Sequence, residues 1–118
     1  MPSSTQYQPN DTYDLVAIIP AGQATSQQVD LSGVDPCGLF MPAAFTGTAV
    51  KFLAAPASNG AFLPLKDGSG NDYALTVSAG SYVIIPDLQA FAGVRWLKLV
   101  SNAAEAAERA IVIAARPI

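Results

Sequence analysis

A turn signal interrupts this chain about every ten residues, and that spacing constrains its fold more than any other feature of the sequence. Short apolar runs occupy residues 15–19, 27–31, 38–41, 49–54, 62–65, 73–77, 82–85, 96–100 and 110–115. They are rich in Val, Ile, Leu and aromatic residues, and Gly, Pro, Asn or Asp falls between most of them. Runs this short cannot make stable helices, whereas a strand needs only about five residues. Several alternate: Tyr73, Leu75 and Val77 share one side, Ala74 and Thr76 the other, and Trp96, Lys98 and Val100 oppose Leu97 and Leu99. The pattern predicts an all-β fold, a single antiparallel β-sandwich of jelly-roll type. The first and last runs are almost continuously apolar, which predicts central strands covered on both faces. Two segments depart from the strand pattern. Residues 87–93 follow Pro86 and read as one helical turn, with an acid at its start and Gly93 after its end. Residues 102–109 read as a loop with a possible second turn, Asn102 standing in cap position.

Residues 1–12 are polar, contain Pro2 and Pro9, and show no periodicity. They read as an extended N-terminal arm, leaving residues 13–118 as the sandwich domain. Tyrosine gives large contact area at low entropy cost. Tyr7, Gln8 and Pro9 of the arm, with Tyr13 at its junction, are therefore the candidate contacts to a neighbouring subunit or partner. The start of the chain has neither a basic n-region nor an apolar stretch, so no signal peptide is expected.

Composition removes most chemistries. With no histidine among 118 residues, a Ser-His-Asp triad, a Cys-His pair and a His-ligated zinc are all unavailable. The single cysteine, Cys37, can form neither an intramolecular disulfide nor a CxxC site, and reads as an inert thiol between Pro36 and Gly38. The net charge is −3, and the six Lys and Arg are scattered, which argues against a nucleic-acid partner. No run approaches the length that spans a bilayer, so no membrane is expected as a partner. Residues 66–72 place Asp67, Ser69 and Asn71 at alternate positions, as at the start of a calcium loop. The closing acid is missing, because Ser78 stands at the twelfth position, so the segment reads as a hairpin turn and no metal is expected. The nine acids sit in apparent turns and read as solvated, Glu105 and Glu108 included. Trp96, alternating with Leu97 and Leu99, reads as a core residue more than a ligand platform. No catalytic residue and no cofactor is predicted. At 13% charged residues the chain has about half the usual charge of a globular domain, as if neighbours cover part of its surface.

The stretches Ile18-Ile19-Pro20-Ala21-Gly22-Gln23, Val29-Asp30-Leu31, Gly38-Leu39-Phe40-Met41-Pro42, Lys51-Phe52-Leu53-Ala54, Phe62-Leu63-Pro64-Leu65, Tyr73-Ala74-Leu75-Thr76-Val77, Pro86-Asp87-Leu88-Gln89-Ala90-Phe91 and Arg95-Trp96-Leu97-Lys98-Leu99, with the terminal run 109–117, form a pattern of strand and turn. Over residues 14–118 this pattern resembles a family of small virion proteins of tailed bacteriophages. The resemblance implies a β-sandwich that decorates or cements the capsid, with the major capsid protein as partner, self-association as a trimer, and a place on the virion surface after synthesis in the host cytoplasm. The alternatives are a tail or head–tail structural protein, or a carbohydrate-binding β-sandwich module, which would need several exposed aromatics on one face.

Overall fold

The computed structural model describes residues 13–117, and in them nine strands form two antiparallel sheets. The first sheet has the order β1 (Tyr13–Ile19), β9 (Arg109–Pro117), β3 (Val34–Phe40), β7 (Tyr82–Ile84). The second has the order β2 (Val29–Asp30), β8 (Trp96–Ser101), β4 (Ala49–Ala55), β5 (Leu63–Pro64), and β6 (Ala74–Thr76) also pairs β4, ahead of β5 along the same edge. If β5 and β6 are counted as one strand position, successive strands alternate between the sheets except where β4 pairs directly with that position, which is the order of a double Greek key, the jelly roll. The sandwich read from the spacing of the runs is the observed architecture.

The core lies between the sheets and is built from the alternate residues of each strand. Ala17 and Ile19 of β1, Ile111 and Ile113 of β9, and Leu39 of β3 face Val50 and Phe52 of β4 and Leu97 and Leu99 of β8, all at 2% exposure or less. The β1–β9 ladder aligns Leu15 with Ile113 and Ala17 with Ile111, so inward residues stack on inward residues across the sheet. Tyr73, Leu75 and Val77 point inward as their alternation predicts, and Tyr73 packs against Phe52 and Phe91 at 5.9 Å between ring centroids.

The turn before β8 is a single turn of 3₁₀ helix, Leu88–Phe91, as expected at residues 87–93. Asp87 caps it by accepting from the Gln89 N–H, and Gly93 follows with φ +82°, a conformation that costs glycine nothing. The expected second helical turn is absent: residues 102–108 form bends. There the Asn102 carboxamide oxygen accepts from the N–H groups of Thr48 and Ala49 in another loop, which ties the segment down without helix.

Two further expectations are corrected. β1 is an edge strand of its sheet, not a central one. Its unbroken apolar run has another cause: its outward residues are also apolar, and Val16 is 50% exposed. Trp96 is not in the core. The parity of β8 gives the core to Leu97 and Leu99, so Trp96 lies half-buried on the outer face with the Arg95 guanidinium 5.1 Å above its ring.

Candidate interaction surface

The two outer faces of the sandwich differ sharply. On the four-stranded sheet the ladders align Val16 with Val112, Val112 with Phe40, and Phe40 with Tyr82. Ile18 with Ala110 extends this row on one side, and Ala114, Gly38 and Ile84 extend it on the other. Every one of these outward positions is apolar or aromatic. Val16, Phe40, Tyr82 and Ile84 are 50%, 48%, 43% and 65% exposed. Phe40 and Tyr82 pack together with centroids 4.5 Å apart, and Tyr82 lies over Gly38, where even a methyl group would collide with its ring. Partial burial pushes the Tyr82 phenol above its ordinary pKa, with the neighbouring Cys37 adding to the effect, so the ring presents an uncharged hydroxyl at neutral pH. The uncharged part spans four strands and about five residues along β9, a face of about 20 by 17 Å, on the order of 350 Å2. Charges appear only at one end, where Asp35 sits opposite Arg116 and Asp14 opposite Ala114.

The five-stranded sheet carries the charge instead. Four of the six basic residues lie there: Lys51 and Lys66 both hold Asp72, Arg95 holds Asp30 at 3.1 Å, and Lys98 sits 4.5 Å over the Phe62 ring. Arg95 and the Ser32 N–H hold the Asp30 carboxyl below its ordinary pKa, and the two lysines do the same for Asp72. These pairs are exposed and contribute little to stability. Their effect is to keep one face wet while the other is apolar.

Of the predicted contact residues, Tyr7, Gln8 and Pro9 lie outside the described residues. Tyr13 is the first residue of β1, 54% exposed, and it lines a cavity of about 360 Å3 at the open end of the sandwich, together with Leu15, Asp30, Ser32, Val34 and Pro117. The segment 66–72 is a hairpin turn, as its residues predict. One Asp67 carboxylate oxygen accepts from the Ser69 and Asn71 N–H groups, and the Lys66–Asp72 bridge closes the turn. Cys37 sits at an irregularity of β3 between Pro36 and Gly38, its thiol donating to the Asp35 carbonyl at 3.6 Å.

Glu105 is the residue that the sequence reading misplaced. It is fully buried. Its carboxylate accepts from the Thr46 N–H at 3.0 Å, the Thr46 hydroxyl at 2.7 Å, the Gly47 N–H at 3.2 Å and Arg109 Nε at 2.9 Å. Its own backbone bonds to Gly22 and Gln23, so one residue ties three loops together. Burial opposes the charged form, but the Arg109 and Thr46 bonds outweigh it and hold the carboxyl below its ordinary value. The sequence offered one weak signal: Glu105 and Arg109 are four apart in a chain otherwise poor in charge. The partners that bury it, Thr46 and Gly47, are 59 and 58 residues away. The site is a structural clamp, because every oxygen is committed to the protein's own donors.

Comparison of the chain with protein-family models, with curated proteins and with solved structures found no match to any of them.

Proposed function

We propose that this protein is a non-enzymatic assembly component, which works by pressing the outer face of its four-stranded sheet against another protein. The observation that carries the reading is the separation of the two faces: charge is gathered on one sheet, and a contiguous uncharged patch that includes Phe40, Tyr82 and Ile84 is left on the other. A patch of this size is as large as the largest apolar patch of many monomers, and such patches are often functional. The jelly roll itself hosts many functions and decides none of them.

Within that class, the reading we favour is a virion structural protein that decorates or cements the capsid of a tailed phage, assembling as a trimer against the major capsid protein. It is supported by the sequence resemblance, by the low overall charge, and by a rigid sandwich with one face suited to burial. Many copies on one shell would add weak contacts into firm attachment. Co-sedimentation of the purified protein with undecorated shells tests it. Ile84→Lys places an unpaired charge on the most exposed residue of the patch, and binding should fall at least tenfold while the fold is retained. Undiminished attachment of that variant would overturn the reading.

A further inference from the structure

Among the described residues, the edge of β1 beside this face carries no strand partner. In an antiparallel ladder the N–H and C=O of alternate residues point to opposite neighbours. The Ile18 carbonyl accepts from the Gln27 N–H at 2.8 Å, so Ile18, and with it Val16 and Asp14, directs its backbone groups away from β9. Among the described residues, nothing pairs with the backbone of Asp14 or Val16. The other strands bordering the two sheets, β2, β5, β6 and β7, are two or three residues long, whereas β1 has seven. Protected edges are kept short or carry proline or lysine. β1 is long, and Asp14 is its only charge. Beside this edge the sandwich opens into the 360 Å3 cavity, which Tyr13 and Leu15 line from β1 itself.

We infer that residues 13–17 of β1 are a strand-addition site for an extended segment of a protein partner, carrying a basic residue opposite Asp14, an apolar residue opposite Val16, and an apolar residue between them that enters the cavity. Backbone bonds would supply affinity, and the cavity and Asp14 would supply selection. A second copy of β1 does not fit. A two-fold axis at Val16 would bring the partner's strand onto Gln27, which already occupies the edge at Ile18. An axis at Leu15 would set each Asp14 against the other copy's Val16 with no counter-charge, and an axis at Asp14 would set two aspartates directly opposite each other. The chain's own residues 1–12 hold no Lys or Arg and include Asp11, the wrong charge for Asp14. This rests on the reading of the protein as an assembly component and names the kind of segment that its partner offers.

The test uses the full 118-residue chain, labelled for amide NMR, and a capped pentapeptide Thr-Val-Leu-Lys-Thr, which spans residues 13–17 and stops short of Gln27. Binding with Kd below about 1 mM should shift the Asp14 and Val16 amides and the side chains lining the cavity. The same peptide with Glu for Lys should bind at least tenfold more weakly. Val16→Pro removes an edge donor without touching the ladder to β9, and it should abolish binding at an unchanged melting temperature. Asp14→Lys should reverse the preference between the two peptides. The inference is overturned if the peptide shifts no β1 amide, shifts only the Phe40–Ile84 face, or binds alike in both charge forms. It is also overturned if the Asp14 and Val16 amides resist exchange in the isolated chain and lose that protection when residues 2–12 are deleted. Should Val16→Pro leave attachment to shells intact while Ile84→Lys destroys it, strand addition fails and the assembly reading stands.

Discussion

Glu105→Gln keeps the shape of the most buried acid in the protein and removes its charge. Four donors converge on that carboxylate, two of them from Thr46 and one the Arg109 guanidinium, itself only 14% exposed. An amide can accept from some of these donors but leaves Arg109 without its counter-charge. Breaking a buried pair from one side costs about 3–5 kcal/mol, and the partial exposure of Arg109 lowers this to about 2–3 kcal/mol. For a domain of this size that is a fall in Tm of roughly 10 °C. Thermal and urea denaturation at pH 7 measure it directly. The pH dependence supplies a second check. The folded carboxyl titrates below its unfolded value, so its contribution is full above the unfolded pKa and is lost as pH falls through the folded one. The wild type should therefore lose more stability than Glu105→Gln on going from pH 7 to acid, and the gap between them should narrow. A variant that melts within about 2 °C of the wild type at pH 7, or a gap that widens in acid, would refute the clamp.

Gly47→Ala would press a methyl group onto Ser101 and Asn102 and should cost about 1–3 kcal/mol, read from the urea midpoint. Leu99→Ala empties a position at 0% exposure between the sheets and should cost about 2–5 kcal/mol in the same assay. Asp30→Asn breaks an exposed pair on the five-stranded sheet and should leave the melting temperature unchanged, in contrast to Glu105→Gln. Deletion of residues 2–12 should leave the isolated domain's melting temperature nearly unchanged and weaken attachment to shells, because an arm that contacts a neighbour contributes only in the assembly.

What the sequence revealed was local, and what it hid depended on distant partners. The hairpin at 66–72 and the 3₁₀ turn at 88–91 are set by Asp67, Asp87 and Gly93 acting on their own neighbours, so they were legible. The alternation in β8 was legible too: Lys98 shares a side with Trp96, which marks that side as the outer one. The apolar outer face was not legible. A strand covered on both sides and an edge strand whose outer residues are also apolar read alike, and β1 is the second kind. Glu105 was hidden because its burial is decided by a loop nearly sixty residues away. Low charge was the one global hint, and its cause is local: the outer face of one sheet carries charge only at its end.

The most direct measurement is a reconstruction of an intact particle carrying this protein, at a resolution that orients the sandwich. The account predicts the four-stranded sheet turned inward, with Phe40, Tyr82 and Ile84 covered by another protein and the Lys51, Lys66 and Lys98 face turned to solvent. A particle in which the apolar sheet faces solvent, or in which the charged sheet makes the contact, would contradict it.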